Sequence, residues 1–111
     1  MTATGKSGTA LHRCFIRYLI LRTSTKGYIC LCQAIATAKR PNYASIDVPL
    51  LVIVGSEDST APLAGCKAIL DNYSTKPEQK RIEVLAGVGH WHCIEAGDLV
   101  ARYIRDFVLG I

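Results

Sequence analysis

Apolar and polar positions follow two different periods along this chain. Residues 48 to 54 read V-P-L-L-V-I-V, an unbroken apolar run of strand length rich in β-branched side chains. Such a run predicts a strand covered on both faces, as in a parallel sheet, and Pro49 is tolerated near its start. Gly55 stops the run, and S-E-D-S-T-A-P follows as loop chemistry, with Pro62 suited to the first turn of a helix. That helix, about Leu63 to Tyr73, sets Cys66, Ile69, Leu70 and Tyr73 on one face. Lys76 to Gln79 is a polar connection, and Arg81 to Leu85, R-I-E-V-L, alternates as a second strand. Beyond the loop G-V-G-H-W-H-C, an amphipathic helix is predicted over about Gly97 to Leu109. It is expected to bury Leu99, Val100, Tyr103, Ile104, Phe107 and Val108.

The front of the chain is less patterned. Residues 1 to 10 lack periodicity and read as loop. Residues 11 to 22 are compatible with a helix carrying Leu11, Phe15, Tyr18 and Leu19 on one side. Lys26 to Arg40 is a stronger helix, with Tyr28, Leu31, Cys32 and Ile35 at three- and four-residue steps, ended by Pro41. Strands alternating with helices in this way predict the α/β class: a parallel βαβ unit with flanking helices. At 111 residues the chain is one domain at most. Residues 1 to 25 read as a basic leader, a short helix or a poorly ordered stretch, and residues 26 to 111 as the folded part. There is no internal repeat.

Charge sharpens this division. The net charge of +4 arises from residues 1 to 46, which carry seven Lys or Arg and no acid, whereas residues 47 to 111 carry six basic and nine acidic residues. The back half therefore gives no reason to expect nucleic acid as a partner. Five cysteines, an odd number without a C-x-x-C pair, argue against a disulfide framework and fit a reducing compartment. No apolar run approaches the roughly 20 residues needed to cross a bilayer, since Arg17 interrupts the longest, Cys14 to Leu21. A cytoplasmic location is expected, with a mitochondrial one as the alternative because of the basic, acid-free start. No membrane partner is expected.

In an open parallel sheet, ligands bind beyond the carboxyl ends of the strands. Asp58 lies in the loop leaving the first strand and His90 in the loop leaving the second. Strands joined by one helical crossover deliver both loops to the same edge, where a carboxylate can orient an imidazole and stabilise its charged form. This is the back half of a nucleophile–His–acid triad. Glu57 is a weaker substitute for Asp58. His92, Cys93 and Glu95 match no zinc spacing, so no metal and no cofactor is expected. Trp91 and His92 are expected to line the pocket or pack over it, and Glu95 to cap the last helix. Cys30 and Cys32 point apart on a helix. Cys93 is a nucleophile only if it faces the imidazole.

The segments I-D-V-P-L-L-V-I-V-G-S-E-D-S-T-A-P and E-V-L-A-G-V-G-H-W-H-C-I-E resemble the carboxy-terminal part of an α/β-hydrolase. They look most like the small esterase and lactonase branch that includes 3-oxoadipate enol-lactonase. The resemblance covers about residues 26 to 109. It implies a partial α/β-hydrolase fold, with Asp58 as triad acid, His90 as base and a small-molecule ester or lactone as substrate. The family's G-x-S-x-G nucleophile elbow is absent. Gly5-Lys6-Ser7-Gly8-Thr9 has Thr9 in place of the last glycine and no strand before it, and the first glycine of a phosphate-binding loop would fall before residue 1. The chain therefore reads as a hydrolase fragment without its nucleophile. The alternative is a non-catalytic remnant that shields its open sheet edges by self-association or by docking on a partner chain.

Overall fold

The computed structural model describes residues 3–110. Its order is α1 (Ala10–Arg22), α2 (Thr25–Thr37), β1 (Leu50–Gly55), α3 (Leu63–Asn72), β2 (Lys80–Leu85), a single turn α4 (His92–Glu95) and α5 (Gly97–Leu109). Short 3-10 turns precede β1 at Tyr43–Ser45 and β2 at Pro77–Gln79. The two strands pair in parallel, in register from Leu50 opposite Lys80 to Gly55 opposite Leu85. Helix α3 carries the chain back, as a parallel neighbour requires. The protein is therefore of the mixed α/β class, with a two-stranded sheet among the described residues.

Local chemistry explains where the helices begin and end. Thr9 caps α1 reciprocally with His12: its hydroxyl accepts from the His12 amide, and its own amide donates to His12 Nδ1. Ser24 caps α2 by accepting from the Gly27 amide. Helix α2 ends three residues earlier than the periodicity suggests, because Arg40, preceding Pro41, is steered away from helical dihedrals and the turn unwinds from Ala38. Helix α5 closes on Gly110, whose φ of 70° is left-handed and suits glycine.

The core is small and lies at the carboxyl end of the sheet. Leu85, 1% exposed, packs with Val88 and Val100, and Ile53, Leu99 and Tyr103 close around them. Val54, Leu70 and Ile16 are also buried. Thr75, at the end of the crossover, is buried too, and its hydroxyl donates to the Val48 carbonyl at 2.7 Å, tying the crossover to the entry of β1.

The expected burial is only partly realised. Residues 50 to 53 of β1 are half-buried, so the strand is not fully covered on both faces. On α5 the structure buries Val100 and partly covers Leu99, Tyr103 and Phe107, but leaves Ile104 at 48% and Val108 at 74% exposure. Helix α2 buries nothing: Tyr28, Leu31 and Ile35 all face outward. On α1 the inward residue is Ile16, not the expected stripe of Leu11, Phe15, Tyr18 and Leu19, all of which are exposed. The common reason is that two strands offer too little surface to cover five helices' apolar faces. The radius of gyration is 15.8 Å, larger than the roughly 13 Å of a condensed domain of about this size.

Stability should follow this uneven burial. Leu85→Ala is expected to cost about 2–5 kcal/mol, whereas Leu31→Ala on α2 should stay within about 0.5 kcal/mol. Urea titrations of both variants followed by circular dichroism check this, and equal losses would mean that α2 packs into the core.

Candidate active site

The parallel register places Gly55 beside Leu85, so the two loops leave the sheet together. They continue to bond beyond the strands. The Ser56 amide donates to the Leu85 carbonyl and the Glu57 amide to the Val88 carbonyl, both at 2.9 Å. In return the Gly87 amide donates to Ser56 Oγ at 2.9 Å. Gly87 turns the second loop with a φ of 71°, a conformation costly for other residues.

This frame brings Asp58 and His90 into contact, with Asp58 Oδ2 3.0 Å from His90 Nδ1. The Asp58 side chain is 3% exposed and that of His90 41%. The second carboxylate oxygen, Oδ1, accepts from the amides of Thr60 at 2.8 Å and Ala61 at 2.9 Å. Asp58 thus caps its own loop and holds the histidine at the same time. Burial raises its pKa, but the Ala61 amide, the His90 ring and the Thr60 amide outweigh it and hold the carboxyl below its usual value of 3.8. An ionised Asp58 accepts from Nδ1–H, the tautomer in which Nε2 carries the lone pair. The geometry suits a base that takes a proton at Nε2 while its opposite edge is fixed.

The other sequence candidates are distributed differently. Glu57 is committed to the front segment: its carboxylate accepts from the Lys6 amide at 2.9 Å and pairs with Lys6 Nζ at 3.4 Å. Trp91 stands edge-on to His90, with ring centroids 6.3 Å apart and planes at 80°. His92 does not join it in lining the pocket: its Nδ1 is buried and without a hydrogen-bond partner. Cys93 is exposed on α4. Among the described residues no group of His, Cys, Asp and Glu side chains is arranged to hold a metal ion.

Glu95 corrects an expectation. It does not cap α5. Its Oε2 accepts from the amides of Gly5 at 2.8 Å and Gly89 at 3.2 Å, with Ser7 Oγ at 3.5 Å, and the side chain is buried. The reason lies in the turn between α4 and α5. Ala96 sits at φ −144° and ψ 43°, and that break directs Glu95 back under the histidine loop.

The sequence did not signal this role for the front segment. The His90 amide donates to the Ala3 carbonyl at 2.7 Å and the Ser7 amide to the Gly87 carbonyl at 2.9 Å. Gly89 permits the approach, since a Cβ there would run into the Ala3 carbonyl and the Gly5 amide. The cluster of small residues around Gly5 was the only available hint. Ser7 itself is exposed and its hydroxyl donates to Glu95, not to His90.

No model of a known protein family matches the chain, and no curated protein matches it. No helix among the described residues is long and apolar enough to cross a membrane.

The lowered pKa of Asp58 fixes the sign of a pH effect. A carboxyl depressed in the folded state adds stability that is present above its unfolded pKa and is lost as pH falls through the folded value. Below about pH 4 the protein should lose stability that Asp58→Asn does not lose, so the variant's acid limb should be shallower. Urea midpoints measured from about pH 6 to about pH 2 check this, and parallel curves would contradict it.

Proposed function

We propose that this chain is the carboxy-terminal part of an α/β-hydrolase and supplies the acid and the base of a Ser-His-Asp triad, the serine being carried outside these residues. The observation that carries this reading is the 3.0 Å contact of a buried, backbone-bonded Asp58 with His90, on adjacent loops at the carboxyl ends of parallel strands. In the intact enzyme the serine Oγ attacks the carbonyl of an ester or lactone and passes its proton to His90 Nε2. His90 then returns that proton to the departing alkoxide, which leaves as the alcohol. Water repeats the sequence on the acyl-enzyme and releases the carboxylic acid. Asp58 keeps Nδ1–H aimed and stabilises the imidazolium throughout.

Nucleophile and oxyanion hole supply most of the rate in such a reaction. The 111-residue chain alone is therefore expected to hydrolyse p-nitrophenyl acetate close to background and to take up no fluorophosphonate label. The natural product, detected in source cells with an antibody to residues 76–90, should be longer. It should be labelled at a serine outside these residues, and His90→Ala should abolish the labelling. Label on Ser7 of the purified chain, or labelling that survives His90→Ala, would overturn the proposal.

A second reading rests on the outward-facing side chains of α2 and the open edges of the sheet. In it the chain is non-catalytic and covers these surfaces by self-association or with a partner chain. A natural product of only 111 residues that folds cooperatively would favour it.

A further inference from the structure

The face of α1 that turns toward His90 reads Arg13, Ile16, Arg17, Ile20, at the three- and four-residue steps of one helical face. With Trp91 and His90 it lines a cleft of about 470 Å³. Concavities of about 500 and 720 Å³ lie elsewhere, against α3 and along α5, and neither touches His90 or Asp58. The cleft beside the histidine has apolar walls from Ile16, Ile20 and the Trp91 ring. Arg13 and Arg17, one helical turn apart, line it as well, and the same two arginines border a neighbouring concavity of about 250 Å³ with Ala10 and Cys14.

Among the described residues, no carboxylate pairs with Arg13 or Arg17. Arg13 Nη1 donates to the Gly8 carbonyl at 2.6 Å, which steadies the side chain and leaves its charge intact. The first 46 residues carry no acid, so the same element cannot supply a counter-ion. Two like charges at i and i+4 repel mildly, and an anion between them relieves that repulsion.

We infer that the cleft takes a small apolar molecule bearing an anionic end group, which Arg13 and Arg17 hold while the apolar body lies along Ile16, Ile20 and Trp91 toward His90. Binding in this cleft does not depend on the hydrolase reading.

Trp91 is the single tryptophan, so its fluorescence reports on the cleft directly. The full chain is titrated at constant ionic strength with hexanoate, hexyl phosphate and the neutral isostere hexanamide. A saturable change with at least one anion and none with hexanamide is expected, and which anion binds identifies the head group. Arg17 is exposed, so Arg17→Gln should fold normally, as checked by circular dichroism, and should weaken anion binding by about tenfold. Arg17→Glu should abolish binding, while Lys39→Gln on the connection after α2 should leave it unchanged. An equal response to hexanamide, or undiminished binding by Arg17→Glu, would overturn the inference. Fluorophosphonate labelling is read independently, so anion binding without a serine partner would fail the hydrolase reading and leave this one standing.

Discussion

The pairing of β1 with β2 in parallel, in a register that ends with Gly55 beside Leu85, is the constraint from which the rest follows. An antiparallel pair would send the two loops to opposite ends. The parallel pair sends them to one edge, and the backbone bonds from Ser56 and Glu57 to Leu85 and Val88 extend the ladder into the loops. A one-residue slip would reverse which side chains face the core and would separate Asp58 from His90. Leu85 and Val88, buried beside Val100, hold that register from below.

Two buried carboxylates then organise the loops in complementary ways. Burying a charge is costly unless hydrogen bonds replace the lost water. Asp58 finds its amides locally, at Thr60 and Ala61, and turns its remaining oxygen to His90. Glu95 finds amides for Oε2 at long range, at Gly5 and Gly89, while its Oε1 is buried with no hydrogen-bond partner among the described residues. It thus ties the first residues of the chain to the loop that carries the histidine. The acid–imidazole pair is thereby braced on one side by its own loop and on the other by a segment about ninety positions away. Because Ala3 and Ser7 also bond to that loop, the front segment brings α1 over His90 and shapes the cleft beside it.

The energetics are lopsided. Burial is concentrated around Leu85, Val88 and Val100, directly beneath the site, while α2 and much of α1 and α5 present apolar side chains to water. A site that needs fixed angles is thus set on the best-packed part of the molecule, and the helices farthest from the core contribute least to its stability. Each proposed reading would bring cover to this exposed apolar area, the rest of an enzyme in one and another chain in the other.

Local pattern determined a good deal. The β-branched run before Gly55, the alternation of R-I-E-V-L and the loop signals between them are enough to specify two strands and a crossover. Parallel geometry then requires Asp58 and His90 to leave at one edge, because strand direction alone decides it. Burial was not legible, since a helical period names an apolar face without saying whether anything exists to cover it; Ile104, Val108 and the stripe on α2 face water for that reason. The role of Glu95 and the docking of Gly5 beside Gly89 were settled only by tertiary structure. They depend on the break at Ala96 and on two glycine backbones meeting across the whole length of the chain, and no periodicity encodes a contact between residues so far apart.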